Sequence, residues 1–396
     1  MPILVQKYGG SSVADVAKIG QVADKVVAAK RAGDDVVVVV SAMGKATDGL
    51  VALAREAAGA HDPPRRELDM LVSTGERVSM ALLSIAIHAR GYDAISFTGS
   101  QSGIITNDRH FDARIIEVRP HRIEDELARG KIVIVAGYQG VSYRKEITTL
   151  GRGGSDTTAV ALAAALGAER CEIYSDVDGV YSADPRVVPD PVHLARIDLA
   201  TLQEMAEAGA KVLNAQAVEW ARRAKIALHA RKTSDPLDAN RNPAKETIAV
   251  EGSHSAVRAI VGMDKIVHAK LRAADLRAFG DLAAQLDVPL LDVAAFGDHA
   301  SALVPLLNVP DWARCRARLE EKLRVAFDDG RAVVSVVGDG LTTSARALPR
   351  ALAALDEIAP PAAVHAGPLR VSAVIASDKL ADAQRALHAA FVTATA

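Results

Sequence analysis

Residues 35–41 read DVVVVVS, and this unbroken β-branched run decides the fold class of the amino-terminal region. A strand that is apolar at every position is buried on both faces, which is typical of the interior of a parallel sheet. The run KIVIVA at 131–136 repeats the pattern. Shorter strand patterns lie at 3–6, 94–97, 115–118, 171–175 and 226–231, the last being the expected final strand. Helical patterns separate the strands, at 16–32, 70–88, 120–129, 155–166, 199–208 and 214–224. This α/β alternation predicts a mostly parallel sheet sandwiched by helices.

A polar stretch ends this alternation. Residues 233–245 read TSDPLDANRNPAK, with two prolines and no periodicity, so we place a domain boundary there and assign 1–245 to one α/β domain. A β-α-β-β-α pattern then occurs twice. It predicts a linker and a small α+β, ferredoxin-like module at 246–330, and a second such module at 331–396. A strand near 255–263 is a candidate addition to the second module.

The composition limits the classes of function. The chain has 396 residues, of which 49% are hydrophobic and 24% charged, which is typical of a globular protein. Its 47 basic and 49 acidic residues leave a net charge of -2, too little to hold nucleic acid or an anionic membrane. Two distant cysteines, no signal-peptide pattern and no run of about 18 apolar residues predict a cytoplasmic protein without a membrane-spanning helix.

Two polar, glycine-containing segments follow the first two strands. KYGGSS at 7–12 precedes a helix, so its backbone N–H groups could bind an anion, and Lys7 could neutralise a transferring phosphoryl group. The same letters also fit a plain turn. SAMGKATD at 41–48 lies beyond a buried strand, where ligands of open α/β sheets bind. It fits a capped helix start equally well.

Two later segments are denser in charge. GRGGSDTT at 151–158 opens a helix with three glycines, an arginine and an aspartate. Arginine can hold a carboxylate or phosphate through two hydrogen bonds, and Asp156 could bind magnesium or orient a lysine. SDVDGVY at 175–181, followed by SADPR, supplies aspartate, tyrosine and arginine suited to a nucleotide. Five histidines, at 61, 88, 110, 121 and 193, form no close cluster and predict no metal site.

In this order, the segments resemble the aspartate kinase family of the amino-acid kinase superfamily. The matching runs are KYGGSSV, SAMGKATD, STGER, SFTGSQSGI, KIVIVAGYQGV, TTLGRGGSDTTAVALAAALGA, CEIYSDVDGVYSADPRVVP and AGAKVL, which span about 1–235. The resemblance implies transfer of the ATP γ-phosphoryl group to the β-carboxylate of L-aspartate. The product would be 4-phospho-L-aspartate, the first step towards lysine, threonine, methionine and other aspartate-derived metabolites.

The resemblance also implies roles for individual residues. Lys7 would stabilise the transferring phosphoryl group, Asp156 would organise the lysines, and Lys211 would be a second lysine beside the phosphates. The implied ATP-binding residues are Lys7, Tyr8, Gly9, Gly10, Ser41, Ser175, Asp176, Tyr181, Arg186 and Lys211. The implied aspartate contacts are Thr47, Glu76, Arg152 and Ser155, with Glu76 on the ammonium and Arg152 on a carboxylate. ATP is expected to bring Mg²⁺, held mainly by its phosphates, with no set of metal-binding side chains in the protein.

The carboxyl-terminal third departs from the family, whose members end in two ACT modules that bind effectors such as lysine or threonine. A typical module has an Asp-x-Pro-Gly turn after its first strand. The runs AADLRAF at 273–279 and LTTSAR at 341–346 have no Pro-Gly, and GPLR at 367–370 replaces the usual Ser-Glu-Ile. The terminal helix at 380–391 does match. We expect modules that hold a homodimer or larger homo-oligomer but respond weakly to lysine or threonine, although the altered loops could still bind an effector.

Two other functions compete with this interpretation. A kinase for glutamate or acetylglutamate would share the fold, but the run from Arg152 to Asp156, together with Glu76, favours aspartate. A non-catalytic regulatory subunit built on the ACT modules should have lost Lys7, Asp156 or the nucleotide segment, and none of these is lost.

Overall fold

The computed structural model describes residues 1–238, 241–252, 259–341, 345–358 and 360–392. The chain forms two compact units. The first comprises Met1–Val180, Leu194–Gln203 and Lys211–His254, and the second comprises Tyr181–His193, Glu204–Ala210 and Ser255–Ala396. Two short segments that precede residue 245 are therefore counted with the second unit.

The strands of the first unit form a large sheet and a small one. They are β1 (Ile3–Tyr8), β2 (Asp35–Val40), β3 (Ala94–Phe97), β4 (Ile104–Thr106), β5 (Ile115–Val118), β6 (Ile132–Ala136), β7 (Gln139–Ser142), β8 (Ile147–Thr149), β9 (Arg170–Ser175), β10 (Arg196–Asp198), β11 (Ala227–Lys232) and β12 (Thr247–Val250). The large sheet has the order β10-β12-β11-β9-β1-β2-β6-β3, and the small one β5-β4-β7-β8.

Neighbouring strands of the large sheet are parallel except β11 and β12. The predicted parallel sheet is thus confirmed. β11 is not its last strand, however, because β12 turns back along it and β10 pairs with β12. Every valine of β2 is fully buried, as the unbroken apolar run predicts. Such burial stabilises the fold by about 1.5–3 kcal/mol for each side chain.

The helices of the first unit are α1 (Val16–Arg31), α2 (Ala46–Ala58), α3 (Arg65–Val72), α4 (Thr74–His88), α5 (His121–Ala128), α6 (Gly154–Ala165) and α8 (Ala215–Ala224). The residues of α7 (Leu199–Glu207) are divided between the units, with those up to Gln203 counted in the first. The single helix predicted at 70–88 is two helices, with Ser73 between them. By length and composition the stretch Arg65–His88 could cross a membrane, although no such helix was expected. Half of its most apolar window is buried inside the protein.

The second unit contains two α+β modules. Its strands are β13 (Ala259–Met263), β14 (Ile266–Arg272), β15 (Leu291–Phe296), β16 (His299–Pro305), β17 (Val325–Asp328), β18 (Arg331–Val337), β19 (Ala363–Ala366) and β20 (Arg370–Ala376). Its helices are α9 (Leu276–Gln285), α10 (Trp312–Lys322), α11 (Ala347–Asp356) and α12 (Leu380–Phe391). The two antiparallel sheets have the orders β15-β16-β14-β17 and β13-β18-β20-β19.

The second sheet takes one outer strand from a distant part of the sequence. β13 precedes the whole first module but pairs antiparallel with β18, from Ala259 opposite Val337 to Met263 opposite Val333. The predicted loop at 342–344 lies outside the described residues. In the first module, a 3-10 turn at Ala273–Asp275 leads into α9 where the family has Pro-Gly.

Candidate active site

A buried ion pair lies where β1 ends. Lys7 is aligned with Val39 of β2 and Ile173 of β9, and its Nζ lies 2.7 Å from Oδ1 of Asp156. Asp156 is in the first turn of α6, where the helix dipole favours a negative charge. Both side chains are about one-tenth exposed. Two predicted catalytic residues, distant in sequence, are therefore in direct contact at the carboxyl edge of the sheet.

The turn after β1 lies against the segment after β2. A Cβ on Gly10 would lie 2.8 Å from the carbonyl oxygen of Ala42 and 3.0 Å from that of Gly44, so only glycine fits. The Gly44 N–H donates to the Gly10 carbonyl at 3.0 Å, and the Gly9 N–H donates to the Tyr174 carbonyl at 3.0 Å. This close approach leaves a turn without side chains beside the Lys7–Asp156 pair.

Glu76 is a buried carboxylate in the first turn of α4. Its Oε1 accepts a hydrogen bond from the Ala42 N–H at 3.1 Å. Its Oε2 is buried and has no hydrogen-bond partner among the described residues. Burial raises the pKa of Glu76 to about 7, although backbone hydrogen bonds oppose the rise. The side chain is thus a buried acceptor with one oxygen available to a cation.

Substitution of Glu76 with glutamine should change how stability depends on pH. Burial holds the pKa in the folded state near 7, above the usual 4.5, so the folded state binds the proton more tightly. The wild-type protein should therefore lose stability between about pH 4.5 and 7, by about 3 kcal/mol in full. Urea unfolding at pH 5 and pH 8 should show that the free energy of unfolding of Glu76→Gln, relative to that of the wild type, is higher at pH 8 than at pH 5. Glu67 is exposed on α3, so the difference in free energy of unfolding between Glu67→Gln and the wild type should be the same at both pH values.

The predicted substrate arginine lies on an exposed loop between β8 and α6. Arg152 Nη2 contacts Asp48 Oδ1 of α2 at 3.0 Å, and both side chains are more than half exposed. Asn214, which caps α8, donates from Nδ2 to the Arg152 carbonyl at 2.8 Å and accepts from Thr157 Oγ1 at 3.1 Å. The backbone of the loop is therefore fixed, while the guanidinium lies at the surface.

The remaining predicted residues differ in their surroundings. Ser155 is buried, and its Cβ and Oγ would lie 2.8 Å from a Cβ on Gly137, at the end of β6. Ser41 is half-buried and donates its N–H to the Tyr8 carbonyl at 3.1 Å, and Thr47 is half-buried in the first turn of α2. The Ser175 carbonyl accepts from Thr233 Oγ1 at 3.0 Å, and Asp176 is exposed.

Of three other predicted nucleotide residues, one belongs to the first unit and two to the second. Lys211 is exposed on the segment between α7 and α8. Tyr181 and Arg186 are counted with the second unit, where Arg186 pairs with Asp184 at 2.7 Å. Tyr8 is fully buried and its ring stacks on Tyr174, with centroids 4.8 Å apart, so only its backbone can face a ligand.

Three features of the site were missed from the sequence. The Ala42 N–H that binds Glu76 is a backbone group and leaves no sequence signal. Asn214 was predicted only as the start of a helix, although an Asn at an N-cap can also hold a second segment. The buried Asp69 pairs with the half-buried His110, and neither stands out in the sequence because the partners are 41 positions apart.

The comparisons with known proteins agree with this geometry. The model of the amino acid kinase family matches residues 2–232. The aspartokinase of Mycolicibacterium smegmatis is 42% identical, over 99% of this chain and 96% of its own. That of Corynebacterium glutamicum is also 42% identical, with the same coverage. E. coli aspartokinase III, solved in complex with aspartate and ADP, superposes with a TM-score of 0.85 at 24% identity, over 98% of this chain and 99% of that one.

The family model matches residues 2–232, so this chain is a member of the amino acid kinase family. The matched region contains the parallel sheet, with the lysine–carboxylate pair and the glycine turn at its carboxyl edge. The family resemblance seen in the sequence is thereby confirmed. Within that family, the full-length relatives place the chain among the aspartokinases, so it is an enzyme that transfers a phosphoryl group.

Proposed function

We propose that the chain transfers the γ-phosphoryl group of ATP to the β-carboxylate of L-aspartate, giving ADP and 4-phospho-L-aspartate. The observation that carries the proposal is the buried pair of Lys7 and Asp156 beside a turn that has no side chains. Phosphoryl transfer needs positioning and charge neutralisation rather than a protein nucleophile. A lysine held at 2.7 Å by a carboxylate supplies a fixed positive charge for this purpose.

The nucleotide phosphates would lie along the Gly9–Gly10 turn and the amino terminus of α6. Gly10 gives the close approach that a phosphate chain requires, and the first turn of α6 favours anions. Mg²⁺ would arrive with ATP and be held mainly by phosphate oxygens, with Asp156 the protein carboxylate nearest to Lys7. The ion would neutralise charge on the phosphates. Ser41, Ser175, Asp176, Tyr181, Arg186 and Lys211 remain proposed nucleotide contacts.

The amino-acid substrate would be held through its charges. L-Aspartate carries two carboxylates and one ammonium group, and Glu76 offers a buried carboxylate oxygen without a partner among the described residues. Arg152 would hold a carboxylate, in exchange for its surface contact with Asp48, and Thr47 and Ser155 would contribute hydroxyl groups. These residues would favour an amino acid whose amine is free and charged over one whose amine is acylated. N-Acetylglutamate is therefore disfavoured as a substrate.

A coupled assay of ADP release tests the reaction. Purified enzyme with Mg-ATP should release ADP when L-aspartate is added, and hydroxylamine should trap the acyl phosphate as a hydroxamate. L-Glutamate and N-acetylglutamate, at the same concentration, should give little release. Faster turnover with either of them would assign the site to that substrate instead, and ADP release without trapped hydroxamate would mean hydrolysis of ATP rather than transfer.

Glu76→Gln should raise the KM for aspartate by about 10- to 100-fold, the size of one hydrogen bond between charged groups. The KM for ATP should change little, because Glu76 is proposed to contact only the amino acid. Discrimination against succinate, which lacks the amine, should shrink. Glu67→Gln serves as the control, since Glu67 is exposed on α3. A variant with an altered KM for ATP and an unchanged KM for aspartate would remove Glu76 from the aspartate site.

We further propose residues 1–245 as the catalytic domain, 246–330 as a linker with the first ACT-like module and 331–396 as the second, in a cytoplasmic homodimer or larger homo-oligomer joined through these modules. Feedback by lysine or threonine would be weak. Asp275 enters α9 directly from a 3-10 turn, without the Pro-Gly that fixes a tight effector-binding turn. Without a formed pocket, an effector has no basis for preferring one state of the enzyme.

A further inference from the structure

Asp69 is a fully buried carboxylate of α3 whose contacts lie on two other segments. Its Oδ1 accepts from Thr149 Oγ1 at 2.5 Å and from the Phe111 N–H at 3.1 Å, and its Oδ2 lies 2.6 Å from Nδ1 of His110. Burial raises its pKa to about 6, and the contacts with Thr149 and His110 limit the rise. A buried carboxylate loses its hydration, and this desolvation cost is offset only where several hydrogen-bonding or ionic partners hold the group.

The segment that reaches Asp69 is itself unusual. Phe111 has φ +71°, in the left-handed region that a bulky residue rarely adopts. Its N–H is the group that donates to Asp69. Two residues on, the Ala113 N–H donates to the Thr149 carbonyl at 2.8 Å. The loop from 107 to 113 therefore closes on the same residue, Thr149, that Asp69 holds by its hydroxyl group. Such local strain persists only where the surroundings fix it.

Both ends of this cluster lead to proposed substrate contacts. Thr149 is the last residue of β8, and Arg152 follows three residues later. Asp69 lies in α3, and Glu76 is in the first turn of α4, directly after the break at Ser73. The Ser73 carbonyl also accepts from Gln139 Nε2 at 2.8 Å, and Gln139 is opposite Thr149 in the small sheet. The α3–α4 junction and the end of β8 are thus joined twice.

From these contacts we propose that Asp69, with His110, is a positioning residue that fixes the spacing between Glu76 and the loop carrying Arg152. The proposal rests on the proposed function, in which these two side chains hold the ammonium and a carboxylate of the amino acid. Loss of the Asp69–Thr149 contact lets the two groups move apart, which weakens aspartate binding. The ATP side of the site, around Gly10, is held by separate hydrogen bonds and keeps its geometry.

The test compares two neighbouring threonines of β8. Thr149→Val removes the hydroxyl that binds Asp69. Thr148→Val removes an equally buried hydroxyl whose one hydrogen-bond partner among the described residues is the Thr106 hydroxyl, at 2.5 Å. Thr149→Val should raise the KM for aspartate roughly tenfold, the size of a hydrogen bond to a charged group, with kcat and the KM for ATP nearly unchanged. Thr149→Ser should restore the wild-type KM. Thr148→Val should leave the KM for aspartate within about twofold.

Hydrogen exchange provides a readout that does not need turnover. In Thr149→Val, amides of residues 150–154 should exchange faster than in the wild type or in Thr148→Val, while those of 9–13 stay unchanged. If the wild type shows no aspartate-dependent ADP release, the proposed function fails and the exchange data alone decide the inference. If the wild type is active and Thr149→Val matches Thr148→Val in exchange and in KM, or if the KM for ATP rises equally, the inference is overturned.

Discussion

Lys7→Ala is expected to lower kcat by roughly 10²–10³-fold, as removal of other fixed charges that face a transition state does. The KM for ATP should change less, because the charge that Lys7 neutralises grows as the phosphoryl group moves. Asp156, whose pairing with Lys7 at 2.7 Å would be lost, stays at the start of α6, where the helix dipole favours its charge. Steady-state kinetics with saturating aspartate, together with a thermal melt that shows the fold intact, measure the effect.

The chain provides a matched control at the opposite edge of the same sheet. Lys30 pairs with Asp35, the first residue of β2, at 3.0 Å, and the two side chains are nearly as buried as those of Lys7 and Asp156. Lys30→Ala therefore removes the same charge from a similar environment, far from the carboxyl ends of the strands. It should leave kcat within about twofold. Equal losses in both variants, or near-normal kcat in Lys7→Ala, would show that Lys7 has no special role in transfer.

The central sheet could be predicted from the sequence because its strands are apolar throughout. The runs that became β2 and β6 have no polar face, so burial on both sides is their only stable arrangement. Strands of three or four residues carry little periodicity, so β3 and β5 were predicted whereas β4, β7 and β8 were missed. The placement of β13 beside β18 is a pairing between distant segments, and because no local pattern encodes such a pairing, the sequence offered the strand near 255–263 only as a candidate for the second module.

The candidate site was predictable to the extent that its residues lie in motifs. Lys7 and Asp156 were predicted from glycine-rich turns, and the sheet brings them into contact because β1 and the start of α6 meet at one edge. The buried oxygen of Glu76 and its bond to the Ala42 N–H depend on the packing of α4 against the end of β2. The Asp69–His110 pair depends on a loop with a positive φ, which local sequence preferences argue against.

A second buried network lies within the sheet and governs stability rather than chemistry. Arg231 of β11 donates from Nη1 to Glu172 Oε1 at 2.8 Å and from Nε to Glu246 Oε2 at 2.7 Å. Glu172 also accepts from Gln6 Nε2 at 2.9 Å and Tyr174 Oη at 3.1 Å. The side chains of Arg231 and Glu172 are each 3% exposed. One guanidinium on β11 thus compensates two carboxylates, that of Glu172 on β9 and that of Glu246 just before β12.

Arg231→Met should reduce the free energy of unfolding by about 3 kcal/mol, because it leaves the buried Glu172 carboxylate with only the partly exposed Arg170, at 3.2 Å, as a cation. The matched control is Arg223→Met, since Arg223 pairs with Glu219 on the exposed face of α8 and should cost less than about 1 kcal/mol. Adding Glu172→Gln to Arg231→Met should recover part of the loss. Urea unfolding of the full chain at pH 7 measures all three, and a loss below about 1 kcal/mol for Arg231→Met would contradict the argument.

The pH dependence of this variant gives a sharper test. Burial would raise the pKa of Glu246, but hydrogen bonds from His229 and Arg231 outweigh it and lower that pKa to about 2. A lowered pKa stabilises the folded state above the usual value near 4.5, and this contribution is lost as the pH falls towards 2. The gap in stability between the wild type and Arg231→Met should therefore be widest above about pH 5 and should narrow on acidification. A gap that stays constant down to pH 3 would mean that Arg231 acts through packing of its side chain rather than through its charge.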